Sequence, residues 1–121
     1  MRRLKLVFEQ LTDTSPIEPQ EYLGMHREQI EGVLTAKQIY KEQGKKEVED
    51  WLSLIKEGEM RLSSDLDYTY LTPYIHLAIQ YHIPYLLVDH DESETNVGLV
   101  VAHSRPVDKR SIWLQEENQL S

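Results

Sequence analysis

The stretch Leu66-Asp67-Tyr68-Thr69-Tyr70-Leu71-Thr72-Pro73-Tyr74-Ile75-His76-Leu77-Ala78-Ile79-Gln80-Tyr81-His82-Ile83-Pro84-Tyr85-Leu86-Leu87-Val88 changes its hydrophobic period part-way along. Asp67 can cap a short turn of helix that runs to Leu71. Thr72-Pro73 reads as a second helix opening: a threonine cap, then proline at the first helical position, where its missing N–H costs nothing. Leu71, Ile75, Ala78, Ile79 and His82 lie along one helical stripe. Pro84 blocks continuation of the helix. Tyr85 to Val88 is apolar without a break, as expected of a strand buried on both faces. Upstream, Met60 to Leu66 reads as another strand. Strand, helix, strand in that order favours a parallel pair with a right-handed crossover.

Further upstream, Val48, Trp51, Leu52 and Ile55 repeat at helical spacing, and Gly58 is expected to end that helix. The helical stretch opens at Thr35 or at Gly44. Before it, Ile30, Gly32 and Leu34 alternate with Gln29, Glu31 and Val33, a strand pattern in which Gly32 marks a bulge or a close backbone approach. Downstream, Asp89 to Asn96 reads as a polar turn and Val97 to His103 as a buried strand, so residues 85–103 are expected to form an antiparallel hairpin. Ser111-Ile112-Trp113-Leu114 can add a last short strand. Residues 1–20 read as a short helix (Leu4, Val7, Phe8, Leu11) followed by a linker rich in helix breakers. Residues 21–115 then form one domain, and 116–121 a polar tail. The predicted fold class is α/β (α+β): a single-domain β-α-β-α-β-β mixed sheet with helices packed on it.

Composition narrows the function classes. The 121 residues suit one domain. Asp and Glu number 21 against 13 Lys and Arg, a formal net charge of −8. Such a chain is repelled by phosphate backbones unless its bases are segregated on one face. The chain has no cysteine, which excludes disulfides, thiolate metal sites and a thiol nucleophile. Lys5 and Glu9 break the apolar N-terminal residues, so no signal peptide is read there. A cytoplasmic location is the expectation.

Three stretches carry a family resemblance: Tyr22-Leu23-Gly24-Met25-His26-Arg27-Glu28-Gln29-Ile30; Leu34-Thr35; and Leu66-Asp67-Tyr68 through Val88-Asp89 into Val97-Gly98-Leu99-Val100-Val101-Ala102-His103. Together they resemble the YueI-like family, small uncharacterised proteins of Gram-positive bacteria. The resemblance implies a fold similar to that of Bacillus chorismate mutase and of the kink-turn RNA-binding ribosomal proteins. It implies no activity, because fold alone does not carry function.

The kink-turn likeness directs attention to Lys37, Lys41, Lys45 and Lys46 as candidate phosphate-binding residues. The opposite loop supplies Asp89, His90, Asp91, Glu92 and Glu94, the wrong sign for RNA. No Lys or Arg lies between Arg61 and Arg105. The lysines read better as a solvated helix face beside Glu42, Glu47 and Glu49. The acidic loop lacks the central glycine of a calcium site. His26, His76, His82, His90 and His103 have no metal-ligand helical spacing. Tyr68, Tyr70, Tyr74, Tyr81 and Tyr85 suit sheet packing better than base stacking. Ser63-Ser64-Asp65 reads as a strand end rather than a nucleophile. Arg27, Arg61, Arg105 and Arg110 are the body's only arginines for an anionic substrate. No phosphate loop, serine elbow or zinc-protease signature is present. The expectation is therefore a small binding or interaction module without catalysis, cofactor or metal, with a protein or small ligand as partner. RNA binding through Lys37 to Lys46 is the alternative, and a small-molecule enzyme at a subunit interface comes third.

Overall fold

A computed structural model describes residues 22–89 and 96–114. The expected N-terminal helix, its linker and the polar tail lie outside those residues. A 3-10 turn at Arg27–Gln29 leads into β1 (Ile30–Thr35), α1 (Ala36–Tyr40), α2 (Lys45–Ser53), β2 (Gly58–Ser63), α3 (Tyr68–Gln80), β3 (Tyr85–Val88) and β4 (Val97–His103). The four strands form one mixed sheet in the order β1-β4-β2-β3. The predicted α+β class and element order hold.

The expected hairpin does not form. β3 pairs in parallel with β2, while β4 inserts between β1 and β2 and runs antiparallel to both. Burial explains the exchange. β4 is buried along Val97–Ala102 and can serve a central position. Gly98 admits α1 there, since a Cβ would lie 2.7 Å from the Ile39 side chain. β3 has four residues and takes an edge, where three of them are exposed. The expectation that Tyr85 to Val88 is buried on both faces is therefore wrong.

Thr35 caps α1 by accepting the Gln38 amide at 3.0 Å, and the Gln38 side chain accepts the Thr35 amide in return. Glu42 and Gly44 then take positive φ values of 59° and 82°, which separates α1 from α2. Both candidate helix openings, Thr35 and Gly44, are used. Gly58 does not cap α2, which ends at Ser53; it begins β2, where a Cβ would meet the Ala102 carbonyl oxygen at 2.1 Å.

α3 is one helix, not a turn followed by a second start. The Asp67 carboxylate accepts the Thr69 amide at 3.0 Å and opens it. Pro73 lies in its interior, and the Thr72 hydroxyl donates to the Tyr68 carbonyl at 2.9 Å instead of capping. Its buried stripe is Leu71, Tyr74, Ile75 and Ala78, whereas Ile79 and His82 are exposed.

The helices cover one face of the sheet. Leu34, Met60, Leu62, Leu99 and Val101 pack there against Ile39, Val48, Trp51, Leu52 and the α3 stripe. On the other face, Ile30, Val33, Val97, Val100 and Ala102 pack under Tyr22, Leu23 and Ile112. β1 is consequently buried on both sides rather than alternating.

Candidate functional site

The two edges of the sheet are treated differently. On the β1 side, the Val33 amide donates to the Ile112 carbonyl at 2.8 Å and the Leu114 amide to the Val33 carbonyl at 3.2 Å. The expected strand at Ser111–Leu114 thus exists as a single parallel bridge between Val33 and Trp113. It closes that edge. On the other side, β3 pairs with β2 alone among the described residues.

The ladder shows which groups the open edge presents. The Met60 amide donates to the Pro84 carbonyl, and the Ser64 amide to the Val88 carbonyl, both at 2.9 Å. Bonding alternates along a parallel strand, so the backbones of Pro84, Leu86 and Val88 face β2. Those of Tyr85 and Leu87 face outward. Side chains alternate as well. Tyr85 and Leu87 sit in register with Met60 and Leu62 on the helix-covered face, and Leu86 and Val88 lie on the other. Tyr85, Leu86 and Leu87 remain 39%, 49% and 40% exposed. Soluble proteins usually protect such a strand with charge, proline or a covering loop. Here Pro84 and Asp89 bracket it, and nothing charged lies within it.

A second feature is a groove of about 260 Å³ lined by Glu42, Lys45, Thr69, Tyr70, Pro73 and Tyr74. The Tyr74 hydroxyl donates to the Gln43 carbonyl at 2.7 Å. Burial, reinforced by the Glu42 charge, pushes the Tyr74 pKa up to about 12. Tyr70 stacks edge-on against Tyr40, with ring centroids 5.0 Å apart. The groove is smaller than the usual range for drug-sized ligands. One ammonium, one carboxylate and aromatic walls suit a small polar or zwitterionic guest.

Lys37, Lys41, Lys45 and Lys46 are all exposed around α1 and the start of α2. Only Lys45 lines the groove. Among the described residues none of the four forms an ion pair with Glu42, Glu47 or Glu49; Glu49 instead accepts the Tyr81 hydroxyl at 2.8 Å. That bond pushes the Tyr81 pKa up.

A third feature was not legible in the sequence. The register between β1 and β4 steps from Ile30↔Ala102 to Gly32↔Val101, so Glu31 is the extra residue of a bulge. The bulge turns its carboxylate onto His103 Nε2 at 2.8 Å and Lys109 Nζ at 2.9 Å. Burial pushes the Glu31 pKa up, but the hydrogen bonds and charges of His103 and Lys109 outweigh it and hold the carboxyl below its usual value. Lys109 also donates to the Glu31 carbonyl at 3.0 Å, which ties the segment after β4 to β1. These partners are 72 and 78 residues apart, beyond any local motif.

The remaining candidates scatter. His26 caps the 3-10 turn, and His76 and His82 are exposed; His90 lies outside the described residues. The Ser63 hydroxyl accepts the Asp65 amide at 3.2 Å, and the Ser64 hydroxyl donates to Asp89. Asp91, Glu92 and Glu94 lie outside the described residues. Arg61 is held by Glu59 and the Leu23 carbonyl, and Arg27 by the Arg110 carbonyl. Among the described residues no group of three His, Asp or Glu side chains is placed to hold a metal. Among them, too, no helix is long and apolar enough to cross a membrane.

The model of a family described as "Protein of unknown function (DUF1694)" matches residues 3–113. The chain belongs to this family. The DUF1694 match begins well upstream of Tyr22, where the motif resemblance started. The chain is 28% identical over 105 residues to "Uncharacterized protein YueI" of Bacillus subtilis (strain 168), covering 87% of this chain and 80% of that protein. It is also similar to the crystal structure of the YueI protein from Bacillus subtilis, with a TM-score of 0.75 and 27% identity over 79% of this chain and 75% of that one. The YueI-like resemblance read from the motifs therefore holds. Neither description names an activity.

Proposed function

We propose that this protein is a small cytosolic interaction module without catalysis, and that the open β3 edge is its contact surface. The observation that carries this reading is the exposure of Tyr85, Leu86 and Leu87 on an edge strand whose outward backbone groups have no strand beside them among the described residues. An unprotected apolar edge is an aggregation hazard in a soluble protein, and its persistence is explained by a partner that covers it. Main-chain hydrogen bonds would supply affinity and the alternating side chains specificity. The groove offers one carboxylate and one ammonium rather than a nucleophile held by a base, which supports a role without chemistry there. A photo-crosslinking residue at Leu86 tests the reading in the native cell. The expected result is an adduct of defined mass that is absent when the same residue replaces exposed Ser111. No adduct at Leu86 overturns it.

RNA binding remains the second reading, favoured by the four exposed lysines without acidic partners among the described residues. The acidic sequence around Asp89 opposes it.

A further inference from the structure

The open edge of β3 is self-complementary, and we propose that it is covered by a second copy of this chain. The two β3 strands would lie antiparallel about a twofold axis at Leu86 and join both sheets into one. This deepens the reading of β3 as the contact surface and rests on it.

Symmetry selects the register. A twofold axis perpendicular to the sheet keeps every side chain on its own face, so one residue must lie opposite its own copy. Centring on Leu86 sets the outward N–H and C=O of Tyr85 against those of the partner's Leu87, and the reverse. The strand thus uses all its outward groups without a slip in register.

A lone peptide strand would satisfy the edge but leave the adjoining helix flank bare. With 100° per residue, α3 turns Leu77 and Tyr81 toward α2, where Tyr81 meets Glu49, and places Tyr68, Thr72 and Ile79 on the opposite flank, beside β3. Tyr68 and Ile79 are each 56% exposed. The twofold axis brings a second α3 alongside the first on the same face, which covers both. Burying Tyr68, Ile79, Tyr85, Leu86 and Leu87 removes about 500 Å² per copy, about 1,000 Å² for the pair, which is the minimum expected of a biological interface.

Charge selects the antiparallel direction. Asp89 follows the strand, while His82 precedes it and no Lys or Arg lies between Arg61 and Arg105. Antiparallel pairing sets each acidic end beside the partner's His82 side, a strand length from the other acidic end. A parallel neighbour would stack the carboxylates.

Sedimentation equilibrium of the full chain tests the proposal. The expected result is a mass twice that of one chain. Leu87→Pro removes an amide that faces outward and leaves the β2 ladder intact, so it should halve the mass with an unchanged far-UV spectrum. Ile79→Glu, which leaves the strand untouched, should weaken association in the same direction. A single-chain mass at every concentration overturns the proposal, as does a double mass that survives both variants. Protection of the Tyr85 and Leu87 amides from exchange in a single-mass species also overturns it, by showing cover from within the chain. A Leu86 crosslink to a protein of another mass overturns self-pairing while leaving the interaction reading in place; no crosslink at all removes both.

Discussion

At Gly32 an added Cβ would sit 2.2 Å from the Trp51 ring, so the backbone of β1 and the indole of α2 are in direct contact. Gly32→Ala must displace a core tryptophan wedged between helix and sheet. The expected cost is about 2–3 kcal/mol, read as a lower urea midpoint with unchanged slope. Glu31, next in the chain, makes a pH-dependent contribution. Its carboxyl has a folded pKa below the unfolded value, so its stabilisation is present above the unfolded value of 4.5 and is lost as pH falls through the folded value. Glu31→Gln should lower stability at pH 7 by about 1–2 kcal/mol and flatten the loss between pH 5 and 3. Equal acid sensitivity in both proteins would exclude this role. Gly32 was legible as a close approach because a glycine amid alternating apolar residues forfeits strand packing, which a tight neighbour makes necessary. The bulge was legible there too, but not that Glu31 is its extra residue and meets His103 and Lys109, because that depends on the partner strand's register.

At the scale of elements, α3 runs through a proline. Pro73 cannot donate to the Thr69 carbonyl, and Thr72 spends its hydroxyl on Tyr68. Pro73→Ala restores a helical amide, and after the lost rigidity of the unfolded chain is discounted it should stabilise by about 1 kcal/mol. Asp67→Ala should cost about 1 kcal/mol through the lost cap. Both are read by denaturant titration; a stabilising Asp67→Ala would contradict the single-helix description. The Thr-Pro signal was locally correct chemistry at the wrong place, since an earlier cap and packing of Leu71 against the sheet extend the helix across it. β3 misled for a related reason. Four apolar residues look the same in a central strand and on an uncovered edge.

For the whole molecule, charge is the clearest lever. At −8, with acidic sequence from Asp89 to Glu94 and no Lys or Arg between Arg61 and Arg105, long-range repulsion should leave only weak association with RNA. A fluorescence titration with a kink-turn RNA at physiological salt should show no sub-micromolar binding. Sub-micromolar affinity lost in Lys37→Glu/Lys41→Glu would promote the RNA reading. The acidic stretch from Asp89 and the lysine cluster were visible in the sequence, as were the element types and most of the core, because periodicity and caps act over a few residues. Val48, Trp51 and Leu52 show this: their spacing alone predicts the buried face of α2, while Ile55, which the same spacing placed on the helix, is buried just beyond its end. Strand order was decided only in three dimensions. Whether β4 pairs with β3 or inserts between β1 and β2 depends on which strand can be buried on both sides and hydrogen-bonded along both edges. No local stretch of sequence encodes that comparison. The same competition left β3 at an edge with its apolar side chains in water, and so created the surface on which a function can be proposed.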